Sequence, residues 1–138
     1  MHPKDLVLSI EEELMELGFD PLKTAAAVQE HMAEEQGTTL LFVNSLCGCV
    51  GTGARLAIKK VLEKNSYQPE HLVTVFADVD EEAATEVFAY TKPYPLSSPA
   101  IALFKDGELV YFLERHQIKG TPPEVIAGAL EEKLEAHC

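Results

Sequence analysis

The sequence predicts an α/β protein: a three-layer α/β/α sandwich with a mixed central sheet and extra N-terminal helices. Three observations carry this. Dense apolar runs at 38–43, 71–77 and 100–104 alternate with segments of helical period. A strand–helix–strand order places the first two of those runs side by side as a parallel pair. Lys105-Asp106-Gly107-Glu108 then supplies an Asp-Gly hairpin signal, which adds antiparallel strands. The length of 138 residues suits one domain, 1–138, with residues 1–37 as a helical extension packed on it.

Each element follows from local pattern. Leu6, Ile10, Leu14 and Leu17 recur at helical spacing, with Glu11, Glu12, Glu13 and Glu16 on the other face. Gly18 stops that helix, Pro21 opens a new element, and Thr24 is a candidate cap for a second helix carrying Val28 and Met32. Thr38 to Val43 reads as a strand buried on both faces. After Asn44-Ser45-Leu46-Cys47-Gly48-Cys49, a helical stripe runs through Val50, Ala54, Ala57, Ile58, Val61 and Leu62, with Asn65 and Pro69 at its exit. His71 to Ala77 is the second core strand, and Asp80 is placed to cap a helix with Ala84, Val87 and Phe88 inward. Ala100 to Phe104 and Leu109 to Leu113 form the hairpin. Thr121-Pro122-Pro123-Glu124 reads as a capping box ahead of a last helix bearing Ile126, Leu130 and Leu134.

Composition excludes several functions. Eleven Lys and Arg stand against 23 Asp and Glu, for a formal charge of −12. That balance opposes nucleic-acid binding, which needs clustered cations, and it opposes docking on anionic membranes. The longest apolar runs fall short of the roughly 20 residues of a membrane span. The N-terminus lacks a signal-peptide pattern, so a cytoplasmic location is expected.

Three cysteines, Cys47, Cys49 and Cys138, do not describe a disulfide scaffold. Core cysteines have no reason to bracket a glycine, so Cys47-Gly48-Cys49 points to redox or metal chemistry. The pair sits where a buried strand turns into a helix. Free amide hydrogens and the helix dipole favour negative charge there, so Cys47 is expected to be a depressed-pKa nucleophile and the more exposed of the two. Cys49, in the first turn, is placed to resolve a mixed disulfide. One intervening residue makes a Cys47–Cys49 bond a small strained ring, suited to isomerisation or exchange rather than to strong reduction.

Ser98-Pro99, just before the third strand, is a candidate cis peptide. Arg55 reads as a surface or packing residue that could also attract anionic groups. Tyr94 is a candidate wall of a substrate groove. His116 and His137 are possible bases that nothing places near Cys47.

The ordered set Thr38-Thr39-Leu40, Val43-Asn44-Ser45-Leu46-Cys47-Gly48-Cys49, Ala54-Arg55, Val73 to Ala77, Ser97-Ser98-Pro99, Arg115-His116-Gln117-Ile118 and Ala136-His137-Cys138 resembles the bacilliredoxin family over almost the whole chain. The resemblance implies a thioredoxin-like fold and a cytosolic thiol–disulfide oxidoreductase that removes bacillithiol from S-bacillithiolated proteins. Cys47 would take the bacillithiol as a mixed disulfide, and Cys49 could form the internal disulfide. In thioredoxin-like folds the residue before a cis-proline faces the active cysteine, so Gly48, Ser98 and Pro99 are the expected substrate-binding residues. The resemblance implies no bound cofactor, bacillithiol as thiol co-substrate, client proteins as partners, and a flavin- and NADPH-dependent reductase acting downstream on bacillithiol disulfide.

Other readings of the same residues are a disulfide isomerase, a non-enzymatic adaptor, and a metal module built from Cys47, Cys49, Cys138 and His137, a permitted zinc set. An accessory thiol or an inert terminal one are both open for Cys138.

Overall fold

A computed structural model describes residues 3–33, 37–45, 48–64, 68–92, 94 and 98–138. Its elements are α1 (Pro3–Glu16), β1 (Asp20–Pro21), α2 (Ala25–Met32), β2 (Thr38–Asn44), α3 (Gly48–Lys64), β3 (His71–Phe76), α4 (Glu81–Phe88), β4 (Ala100–Lys105), β5 (Glu108–Leu113), α5 (Arg115–Ile118) and α6 (Pro123–His137).

The sheet runs in the order β1-β3-β2-β4-β5. β3 is parallel to β1 and β2, whereas β4 is antiparallel to β2 and β5 to β4. β2 is therefore central and wholly buried. Alternation along it divides the core. Leu40 and Phe42 face one layer with α1, α3 and α6, through Leu14, Ile58 and Leu130. Leu41 and Val43 face the other with α2 and α4, through Val28, Ala83 and Val87. The expected three-layer sandwich with a mixed sheet is what forms.

The turns follow their local chemistry. Gly18, at φ 104°, ends α1 with paired bonds from Gly18 N to Met15 O and Phe19 N to Leu14 O, a Schellman pattern. Asp106 and Gly107 both have positive φ, as a two-residue hairpin requires. Thr24 caps α2 by accepting from Ala27 N at 3.0 Å.

Several local expectations are corrected. Leu6 is exposed and Val7 takes the inward position, while Glu11 is buried and paired with Lys23. Asp80 precedes α4 but makes no capping bond; its carboxylate instead accepts from Lys23 Nζ at 3.3 Å. Thr121 caps nothing, because Pro122 holds the N-cap position and the threonine hydroxyl donates to Gln117 O. The capping box lies earlier, between Glu114 and Gln117 at α5. Neither β1 nor α5 was expected from pattern. No helix among the described residues is long and apolar enough to cross a membrane.

Candidate functional site

The C-terminal end of β2 and the N-terminal end of α3 meet at the Cys-Gly-Cys segment. Cys47 lies outside the described residues. The backbone of Gly48 and Cys49 opens α3, so the segment adjoins a helix N-terminus.

Beneath this junction lies a polar layer. Asn44 is fully buried, and its Oδ1 accepts from Ser45 N at 2.9 Å and from Arg55 Nη1 at 3.1 Å. Its backbone carbonyl accepts from Ala77 N, which ties the end of β2 to the turn after β3. Ser45 is buried and donates through Oγ to Asp78 Oδ2 at 3.2 Å. Arg55 is half-buried, and its Nη2 reaches Thr52 Oγ1 at 3.2 Å. Burial pulls the guanidinium pKa below the ordinary arginine value, and the Glu13 charge opposes that pull. Gly51 makes the layer possible: a Cβ there would stand 2.9 Å from Ser45 O and 3.2 Å from Arg55 Nη1.

The Ser98–Pro99 peptide is cis, as its position suggested. Arg115 Nη1 donates to Ser98 O at 2.9 Å, so α5 anchors the residue before the proline. Ser98 also lines a cleft of about 350 Å³ with Asp78, Glu81, Thr85 and Phe88. Because Asp78 is bonded to Ser45, that cleft adjoins the β2–α3 junction. On the other flank of α3, Val50, Thr52, Leu56, Ile118 and Pro123 line a more apolar cleft of about 650 Å³.

Other candidates fall away from this place. Cys138 Sγ donates to Thr38 Oγ1 at 3.4 Å, which puts it at the opposite end of β2. A seven-residue strand at about 3.3 Å per residue separates the two ends by about 20 Å. A single metal ion held by Cys138 and His137 together with the Cys-Gly-Cys segment does not fit that distance, and among the described residues no cluster has the make-up of a metal site. His116 is exposed with Glu114 3.8 Å away. Tyr94 stacks on Phe112 with ring centroids 4.9 Å apart and is not among the residues lining the cleft beside Ser98.

Asn44, Gly51, Asp78 and Arg115 were not singled out for roles at the site from pattern alone. Gly51 carries the one readable signal: glycine is a poor choice inside a helix unless something approaches closely.

Solved structures share this fold. Thioredoxin of Fasciola hepatica matches with a TM-score of 0.61 at 16% identity, covering 87% of this chain and all of that one. Mitochondrial thioredoxin 3 of Saccharomyces cerevisiae matches with a TM-score of 0.60 at 13% identity, over 86% and 95% of the two chains. The architecture is thus the thioredoxin fold, with Gly48 and Cys49 of the Cys-Gly-Cys motif opening α3.

A family described as disulphide isomerase matches residues 2–138. A bacilliredoxin of Cytophaga hutchinsonii is 48% identical over 95% of this chain and 96% of its own. One from Shouchella clausii is 42% identical over 98% and 92%. The chain belongs to the bacilliredoxin family and is a thiol–disulfide oxidoreductase.

Proposed function

We propose that this oxidoreductase removes bacillithiol from S-bacillithiolated proteins in the cytoplasm, with Cys47 as the attacking thiol. The observation that supports it best is that Gly48 and Cys49 open α3 at the end of β2, whose Val43 pairs with Ala100 next to the cis Ser98–Pro99 bond. Amide hydrogens at a helix start favour a thiolate over a thiol.

The Cys47 thiolate attacks the bacillithiol sulfur of the client's mixed disulfide. The client–bacillithiol S–S bond breaks, a Cys47–bacillithiol S–S bond forms, and the client leaves as a thiolate that takes a proton from water. A second bacillithiol, as thiolate, attacks the adduct and releases Cys47 with bacillithiol disulfide. Two electrons thus pass from bacillithiol to the client. A flavin- and NADPH-dependent reductase restores the bacillithiol, and the protein itself carries no cofactor. Cys49 offers an internal route, and its proximity in sequence makes that disulfide easily reduced. Gly48, Ser98 and Pro99 present backbone to the extended substrate.

Incubation with a bacillithiolated client tests this. Loss of the client adduct with the wild-type protein and its retention with Cys47→Ser is the expected result. Full turnover by Cys47→Ser overturns the reading. Disulfide isomerisation is a second outcome of the same chemistry, favoured by the oxidising character of a strained Cys-x-Cys bond.

A further inference from the structure

We propose that the apolar cleft between α3 and the α5–α6 connection is a docking site for the client polypeptide, and that it takes an extended segment carrying a bulky apolar side chain and a nearby carboxylate. The inference deepens the proposed function and rests on Cys47 being the attacking thiol.

Gly53 carries the argument. It sits within α3, where glycine is among the poorest helix formers. A Cβ there would meet nothing within 4 Å, so no neighbour excludes a larger residue. Gly51 differs, because a Cβ there would strike Ser45 O at 2.9 Å. The two glycines answer different demands. Gly51 admits the protein's own backbone, whereas Gly53 leaves open the cleft that it lines.

The rest of the lining says what fits. Val50, Leu56, Ile118 and Pro123 make the cleft apolar, and its volume of about 650 Å³ lies in the range that holds ligands. Leu56 is 45% exposed and offers apolar surface for a partner to cover. Of the described lining residues Lys119 alone is charged. It is exposed, and among the described residues no carboxylate lies within ion-pair distance of it. The cleft beside Ser98 has the opposite sign, through Asp78 and Glu81. The chain's net charge of −12 does not erase this local preference, because salt screens exposed charges beyond about 8 Å. A carboxylate therefore fits beside Lys119 and not beside Ser98.

Reach is set by covalent geometry. Val50 follows Cys47 by three residues. Consecutive Cα atoms are about 3.8 Å apart, so the two Cα atoms lie within about 11 Å of each other. An extended client chain covers that distance in about three to four residues. The apolar side chain and the carboxylate thus belong within a few residues of the client's modified cysteine.

The test uses two bacillithiolated peptides of equal length, one with leucine and glutamate near the modified cysteine, the other with serine and lysine in their place. The Leu–Glu peptide is expected to show the lower KM. Gly53→Leu, which fills the cleft, should raise that KM about tenfold and raise the Ser–Lys value less. Lys119→Glu should narrow the gap between the peptides. Gly128→Leu, at an α6 glycine whose Cβ also meets nothing, leaves both values in place. Should Gly53→Leu not fold, Leu56→Lys, at an exposed position, decides in its stead. A readout apart from turnover is the amide chemical shifts of the wild-type protein during titration with the Leu–Glu peptide carrying serine for its cysteine; those of Gly53, Gly120 and Thr121 should move. Equal KM values for the two peptides, an equal rise for both in Gly53→Leu, or shifts confined to Glu81 and Thr85 overturn the inference. So do shifts at Gly53 produced by free bacillithiol alone, which would give the cleft to the small thiol. Absence of debacillithiolation with the peptide-induced shifts intact would instead overturn the proposed function.

Discussion

Arg115, at the start of α5, donates from Nη1 to the carbonyl of Ser98 at 2.9 Å and so grips the residue before the cis-proline. A four-residue helix that buries Ile118 thereby anchors the backbone just ahead of β4.

Arg115→Ala is accordingly expected to weaken substrate binding more than chemistry. KM for a bacillithiolated client should rise by about three- to tenfold, the net value of one ordinary hydrogen bond, because the bond positions Ser98 rather than touching the substrate, with kcat changed less. Steady-state kinetics checks it; an equal fall in kcat and kcat/KM would assign Arg115 to the reacting centre instead.

Gly51→Ala tests the close approach at α3. Its Cβ would meet Ser45 O at 2.9 Å, a backbone atom that cannot swing aside. The helix should gain from the better propensity of alanine, by about 1 kcal/mol, and lose more from the clash. A lower urea midpoint together with a slower thiol alkylation rate is the expected pair of results. A stabilised protein with unaltered alkylation would show that the layer beneath the junction is loosely packed.

Lys23 joins α1 to the start of α4 through Glu11 and Asp80. Burial pulls its pKa down, but the bond to Glu11 and the charges of Asp80 and Glu11 outweigh it and hold the pKa above the ordinary lysine value. A raised folded-state pKa means that the folded form binds the proton more tightly. The contribution is complete below the unfolded value of 10.5 and disappears as pH climbs through the folded one. Lys23→Met should remove this alkaline loss and leave the buried Glu11 unpaired, at a cost of about 1–3 kcal/mol near neutrality. Urea unfolding at neutral and alkaline pH measures both.

Leu40→Ala empties a fully buried position in the central strand. Loss of about 2–5 kcal/mol is expected, with thiol reactivity per folded molecule retained, because the side chain faces the α1, α3 and α6 layer. Chemical denaturation beside an alkylation assay separates the two effects.

The long elements were legible because their apolar periods are strong. β2 is buried on both sides and its residues say so; the Asp106-Gly107 turn needs positive φ twice and its residues allow it. β1 was not legible. Asp20 and Pro21 are poor strand formers, and they become a strand because β3 offers an open edge opposite Val73 and Thr74. α5 is too short to show a period. Asp80 and Thr121 have the right chemistry for caps, but Lys23 and the Gln117 carbonyl claim their side chains first, which only tertiary structure decides. At the site, the paired cysteines and Ser98-Pro99 stood out as motifs. The Asn44–Arg55 contact spans eleven residues and depends on how β2 docks on α3, so no local pattern announces it.

The central claim is that sulfur transfer begins at Cys47, and the most direct test is the intact mass and peptide map of Cys49→Ser after exposure to a bacillithiolated client. The account predicts one bacillithiol, carried on Cys47. An adduct found on Cys138, or no adduct while the client is still freed, would contradict it.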